Sequence, residues 1–211
     1  MKKHLIKALA LVLLVVFAVG MMSSCAKKYD VYNVEMEVEG FGVIKMQLVR
    51  SSAPKTVDNF IKLAEEDFYD GLTFIRAQKG FVIQGGDPLK GQGVAPDGVT
   101  VKDADPIFGE FTENGFYKNH ISHTEGVISM ARTNDPNSAT SQFFITTADA
   151  RTSLDGKYAG FGYIDAESMA IVHAIAEAMY PYADSSMGFV ANVSAQPVIK
   201  DVRVVGGYNI D

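Results

Sequence analysis

Among its 211 residues the sequence has a single cysteine, Cys25, and no tryptophan. One cysteine has no partner within the chain, so an intramolecular disulfide is excluded. Histidines are also scarce, and His120 and His123 together supply at most half of a zinc site. Since the other two, His4 and His173, lie in the N-terminal segment and in a predicted helix, we predict no metal site.

The chain has no excess of basic residues. It carries 19 lysines and arginines against 25 acidic residues, a net charge of −6 at pH 7. Removal of residues 1–24 takes away three lysines and no acid, which makes the charge −9. Because a polyanion needs a basic surface, we predict that nucleic acid is not a partner.

The N-terminal segment is apolar and short. After a basic start, the run from Leu5 to Val19 contains only Lys7 as a charge, and two serines precede Cys25. This pattern is typical of a bacterial signal peptide with a lipobox. We therefore predict a signal peptide over 1–24, lipidation at Cys25, a tether over 25–30 and a domain outside the cytoplasm, held at an envelope membrane by its lipid. An uncleaved anchor and ordinary secretion with a free thiol are the alternatives.

Residues 31–211 have the length of one domain and no internal repeat. Alternating apolar and polar residues predict a hairpin of strands 31–38 and 41–49. Further short strands are predicted at 73–78, 81–84, 126–130, 143–146, 160–164 and 198–205. Helical spacing predicts a helix from Pro54 to about Asp70, and another that is capped by Ser168 and ends before Pro181. Residues 88–120 are predicted to be surface loops. Many short strands and two helices favour a closed antiparallel barrel.

Three motifs carry the chemistry: Phe-Ile-Arg-Ala-Gln-Lys-Gly-Phe-Val-Ile-Gln-Gly-Gly-Asp at 74–87, Gly-Val-Ile-Ser-Met-Ala-Arg at 126–132 and Ser-Gln-Phe-Phe-Ile at 141–145. In the first, Arg76 stands among apolar residues, where its donors need partners, and this indicates a functional site. Leu-Asp-Gly-Lys-Tyr follows at 154–158 and Phe-Gly at 161–162. In order and spacing these motifs resemble those of the cyclophilin family.

The resemblance implies a mostly-β fold, a closed eight-stranded antiparallel barrel capped by two helices, and peptidyl-prolyl cis-trans isomerase activity on proline-containing polypeptides. We also expect a monomer that needs no cofactor. By the family match, Arg76 is the arginine that hydrogen-bonds to the prolyl nitrogen, and Gln84 holds the substrate carbonyl. The catalytic residues are then Arg76, Phe81 and Gln84, and the other substrate-binding residues are Val82, Ala131, Arg132, Gln142, Phe144, Leu154 and Tyr158.

Four positions on the predicted rim depart from the family pattern. Ile75, Lys79, Val82 and Ser153 stand where histidine, proline, methionine and tryptophan are common. The altered rim leaves open an alternative, a chaperone or scaffold that binds proline-containing segments with little turnover. Structural roles are open too, because Arg76 could form an ordinary ion pair and the apolar residues could belong to the core.

Overall fold

The computed structural model of the chain describes residues 28–93 and 104–210. The predicted signal peptide, the lipidation site at Cys25 and the first part of the tether lie outside the described residues. Within them, no helix has both the length and the apolar character that are needed to cross a membrane.

Eight strands form one antiparallel sheet in the order β3-β4-β6-β5-β7-β2-β1-β8. The predicted strands are confirmed, with small shifts at their ends. The largest shift is at the last strand, which continues to Tyr208 because it pairs with the first strand along its whole length. The strands are β1 Val31–Val38, β2 Gly42–Val49, β3 Phe74–Gln78, β4 Val82–Gly85, β5 Val127–Met130, β6 Phe143–Thr146, β7 Gly160–Ile164 and β8 Ile199–Tyr208.

The prediction of a fully closed barrel is wrong, because the sheet curls without a continuous ladder between its edge strands β3 and β8. One isolated bridge, between Thr73 and Val198, joins these edges. Beyond it the outer edge of β3 is occupied by residues 183–190, which we call the Asp184 loop. The amide of Ala77 donates to the carbonyl of Gly188, and the amide of Val190 donates to the carbonyl of Ile75. The Asp184 loop thus takes the place that β8 would need for closure.

The described part of the chain contains three α-helices: α1 Pro54–Glu65, α2 Arg151–Leu154 and α3 Met169–Met179. Helix α1 ends earlier than predicted, since Asp67 adopts a left-handed conformation with φ of 53°. Ser168 precedes α3 as expected but caps nothing with its side chain, and its hydroxyl instead accepts a hydrogen bond from the amide of Lys45. Helix α3 ends before Pro181, as predicted.

The predicted surface loop 88–120 is partly buried where the structure describes it. Glu110 and Phe111 are almost fully buried. The carboxylate of Glu110 accepts hydrogen bonds from the amides of Lys55 and Thr56 at 3.0 and 2.8 Å, and from the Thr56 hydroxyl. A helix N-terminus leaves amides without partners, and Glu110 therefore caps α1 from a distant point in the sequence.

Two separate apolar clusters result from this arrangement. The large one fills the space between the sheet and helices α1 and α3. The small one lies on the other face of β4 and β6, since successive side chains of a strand point to opposite faces. It contains Val82, Phe144, Ala150 and Leu154, with Phe81, Ala131 and Tyr158 packed around them.

Candidate active site

Four side chains from four neighbouring strands form one row on the outer face of the sheet. Arg76 lies opposite Gln84, Gln84 opposite Phe144, and Phe144 opposite Ser129. Residues that are directly paired across strands share a face and are in contact range. The register of β3, β4, β6 and β5 therefore brings a cation, an amide and an aromatic ring together.

Arg76 is held by three uncharged acceptors. Its Nε donates to the carbonyl of Met187 at 2.7 Å, Nη1 donates to Oε1 of Gln84 at 3.2 Å, and Nη2 donates to Oε1 of Gln78. Burial lowers the pKa of Arg76, yet a guanidinium remains protonated at physiological pH. Because these partners are neutral, they fix the orientation of the positive charge without neutralising it, which does not fit an ordinary structural ion pair.

Two glutamine side chains continue the hydrogen-bonded chain that begins at Arg76. Nε2 of Gln84 donates to Oε1 of Gln142 at 2.9 Å. Gln142 lines a second, adjoining depression of about 210 Å³ with Gln84, Ala131, Arg132, Thr133, Ser138 and Thr140. The two glutamines thus connect the cation to a polar depression beside the main cleft.

The main cleft has a volume of about 340 Å³ and an apolar wall next to Arg76. Phe144 and Leu154 are part of this wall, and both side chains are largely buried. Gly86 turns the chain after β4 with φ of +80°, and a Cβ there would lie 2.9 Å from the carbonyl oxygen of Ser141. The residues lining the cleft are Arg76, Phe81, Val82, Gln84, Ala131, Arg132, Phe144, Leu154, Tyr158, Met187 and Phe189.

Arg132 fixes the opposite rim of the cleft. Its Nε and Nη2 donate to the carbonyl of Lys157 at 3.1 and 2.9 Å, and its guanidinium lies 4.7 Å from the ring centre of Tyr158. Tyr158 in turn meets Phe144 edge to face, with ring centres 5.6 Å apart. The cation above its face and the edge-to-face contact both restrict the orientation of the Tyr158 ring. Arg132 thus holds Tyr158 against Phe144.

A polar chain that runs from the buried Ser129 and His123 to the partly exposed Asp155 supports Phe144 from behind. The His123 ring stacks on Phe144 with a centroid distance of 6.1 Å, and it bonds through Nδ1 to Asp155 at 2.8 Å and through Nε2 to Ser129 at 2.9 Å. Burial lowers the pKa of His123, although the bond to Asp155 acts in the opposite direction. Burial alone would raise the pKa of Asp155, but hydrogen bonds from the His123 amide, Ser122 and the His123 ring lower it.

The predicted site residues lie together at the cleft and the adjoining depression. The role of each in catalysis or binding remains a prediction. Nine of the ten line the main cleft, and Gln142 lies in the adjoining depression. The predicted rim needs a correction, because only Val82 of its four residues lines the cleft. Ile75 is buried, and Lys79 and Ser153 are exposed outside both depressions. Within residues 28–93 and 104–210 no cluster of three or more potential metal ligands occurs.

Several residues at the cleft were missed by sequence reasoning. Met187 and Phe189 belong to no family motif, and for Gln78 the sequence predicts only a place in the strand 73–78. An aspartate followed by two serines, with a glycine at the fourth position after it, signals a tight turn, so Asp184 could have marked this loop. Nothing local in the sequence places that turn beside Arg76.

Comparison with known proteins agrees with this geometry. The family model described as cyclophilin type peptidyl-prolyl cis-trans isomerase/CLD matches residues 33–205. The chain belongs to the cyclophilin family. It is similar to the peptidyl-prolyl cis-trans isomerase ppi1 of Schizosaccharomyces pombe, with 40% identity over 133 residues that cover 63% of this chain and 77% of the relative. A bacterial cyclophilin relative, the peptidyl-prolyl cis-trans isomerase of Acinetobacter baylyi, is 35% identical over 169 residues, which cover 78% of this chain and 80% of the relative.

A solved cyclophilin structure shares the fold. The cyclophilin type isomerase of Cryptosporidium parvum superposes with a TM-score of 0.60 and 26% identity, over 84% of this chain and 99% of that chain. Another structure of that protein was determined in the presence of the dipeptide Ala-Pro. This cyclophilin is therefore an isomerase enzyme of peptidyl-prolyl bonds with a curled, eight-stranded antiparallel sheet.

Proposed function

We propose that this cyclophilin acts outside the cytoplasm, anchored by a lipid on Cys25, and that the Arg76 cleft is the place where X-Pro bonds isomerise. The observation that carries the assignment of the cleft is the position of Arg76. A charged guanidinium, fixed by three neutral acceptors, stands at the edge of an apolar slot lined by Phe81, Val82, Phe144 and Leu154.

The chemistry requires no nucleophile. Amide resonance gives the X-Pro bond its double-bond character and a barrier of roughly 18–20 kcal/mol. As the bond twists, the lone pair localises on the prolyl nitrogen and can accept a hydrogen bond. A donor that is fixed in advance at this atom stabilises the twisted state more than either planar isomer. Arg76 is the donor in our proposal.

The rest of the cleft positions the substrate. The proline ring lies in the slot formed by Phe81, Val82, Phe144 and Leu154, from which water is displaced. Gln84 holds a carbonyl next to the reacting bond. The residues before the proline lie along Ala131 and Gln142, as the match to the family motif implies, so the chain after the proline leaves past Arg76.

The direct test of this site compares catalysis with binding. We expect the purified domain to accelerate cis-trans exchange in an Ala-Pro peptide, measured by NMR exchange spectroscopy. Chemical-shift changes on peptide binding should be largest at Phe144, Gln84 and Ala131. Binding at a different surface, with the same acceleration, would contradict the assignment of the cleft.

Location outside the cytoplasm rests on the sequence before the domain. A basic start, an apolar run and two serines before the only cysteine form a lipobox-like signal. A single acyl chain binds membranes only marginally, so Cys25 would hold the domain stably at an envelope membrane if its lipid carries two or more chains. Its substrates would then be folding or secreted polypeptides with exposed X-Pro bonds.

Cell fractionation of the full-length chain tests the anchor. Wild-type protein should be found with membranes and should incorporate a fatty-acid probe. Cys25→Ser should lose the label and be released or remain as the precursor, while Ser24→Ala serves as the control that keeps the thiol. A wild type without label, with the same membrane retention as Cys25→Ser, would disprove lipidation. Light scattering of the domain should give the mass of a monomer.

A further inference from the structure

The cleft has one wall that belongs to no family motif, and the Asp184 loop builds it. The carboxylate of Asp184 accepts hydrogen bonds from the amides of Ser186, Met187 and Phe189 at 2.9, 2.8 and 2.7 Å, and from the Ser186 hydroxyl. The Ser186 hydroxyl and these amides hold the pKa of Asp184 far below its ordinary value. Because the ionised carboxylate accepts four hydrogen bonds from groups of the same loop, it fixes the conformation of the loop.

The Asp184 loop is also fixed against the strand that carries Arg76. The carbonyl of Gly188 accepts from the amide of Ala77 at 2.8 Å. Gly188 has φ of +81°, and a Cβ there would lie 2.5 Å from the carbonyl oxygen of Ala77. Only glycine allows this approach. The position of the loop relative to Arg76 is thus determined by main-chain contacts with β3, and not by the side chains of Met187 and Phe189.

Two large apolar side chains are left exposed by this arrangement. Met187 is 52% exposed and Phe189 is 37% exposed, and both line the cleft that contains Arg76 and Phe144. The carbonyl of Met187 holds Arg76, and the Phe189 ring lies 5.5 Å from the Arg76 guanidinium. Exposed apolar residues that are continuous with a ligand cleft mark a contact surface for the ligand.

We propose that Met187, with Phe189 beside it, is a specificity-determining residue that contacts the substrate side chain immediately after the proline. This inference rests on the cleft assignment made above, in which the chain after the proline passes Arg76. A thioether side chain adapts to varied apolar shapes, but it forms only weak hydrogen bonds with a polar group. The enzyme should therefore favour leucine or phenylalanine over glutamine at that position.

The test compares peptides that differ only after the proline. Exchange rates of Ala-Ala-Pro-Leu and Ala-Ala-Pro-Gln peptides are measured by NMR, without a coupling protease, whose own preference would distort the comparison. The wild type should have a kcat/KM about fivefold higher for the leucine peptide, the size of effect expected for a partly exposed apolar contact. Met187→Ser, which retains the carbonyl that holds Arg76, should bring the ratio close to one. Met187→Leu should restore it.

Val205→Ser is the matched control. Val205 is 51% exposed on β8 and does not line the cleft, so this variant should keep the wild-type ratio. A wild type that treats both peptides equally, or an unchanged ratio in Met187→Ser, would overturn the proposal. So would a Met187→Ser effect that depends on the residue before the proline and not on the one after it. Failure to accelerate any peptide would instead contradict the proposed function.

Discussion

Substitution of Arg76 separates transition-state stabilisation from substrate binding. A guanidinium has five N–H donors, and three of them are used to hold Arg76 on Met187, Gln84 and Gln78. Two N–H groups are left for a ligand. One donor that is fixed in advance for the transition state contributes about 3 kcal/mol, or two decades in rate. Arg76→Ala should therefore lower kcat and kcat/KM together by about 100-fold.

Affinity for the ground-state peptide should change little in Arg76→Ala. Arg76→Lys should lose about tenfold in kcat, since an ammonium keeps the charge but cannot reproduce the planar fork. Exchange spectroscopy gives the rates and calorimetry gives the affinity. Arg203→Ala is the control: Arg203 lies on β8 and pairs with Glu35 and Asp201, so its loss should leave the rates unchanged. A 100-fold loss of affinity with unaltered kcat in Arg76→Ala would refute the reasoning, provided that the thermal melt is the same as that of the wild type.

Three further predictions concern the support of the cleft and the fold. Phe144→Ala should reduce both peptide affinity and kcat and cost about 3 kcal/mol of stability, which titration and denaturant unfolding would measure. Because the pKa of His123 is lowered on folding, the unfolded chain binds the extra proton, and thermal stability should fall as pH drops below about 6.5. His123→Gln should flatten that slope, whereas the exposed His173→Gln should not. Glu110→Gln should lower the free energy of unfolding by about 2 kcal/mol through loss of the cap on α1, and an unchanged urea midpoint would disprove this role.

Local patterns predicted most of the sheet. All eight strands were predicted, the first two from their alternation of apolar and polar residues, and β1, β6 and β7 have the predicted bounds. The motif residues converge because strand pairing sets Arg76, Gln84 and Phe144 opposite one another. The resemblance to the family motifs allowed these residues to be assigned to the site before the fold was known.

Contacts between distant segments were not predictable in this way. Closure of the barrel depends on whether β8 or the Asp184 loop covers the edge of β3, and no local pattern decides between them. The cap on α1 comes from Glu110, far from the helix in sequence, while the local position Ala53 offers no capping side chain. The position of Met187 also depends on a contact between distant segments. The hydrogen bond from the Ala77 amide to the Gly188 carbonyl holds the Asp184 loop, and Met187 with it, at the cleft.

The central claim is that the Arg76 cleft catalyses isomerisation and does not merely bind proline. The most direct measurement is NMR exchange spectroscopy on Ala-Pro peptides with catalytic amounts of the domain, in parallel with binding by chemical-shift titration. We predict that cis-trans exchange is accelerated by the wild type and that Arg76→Ala loses about 100-fold of this acceleration at nearly unchanged affinity. Peptides that bind at the cleft of the folded wild type without any acceleration of exchange would contradict the account.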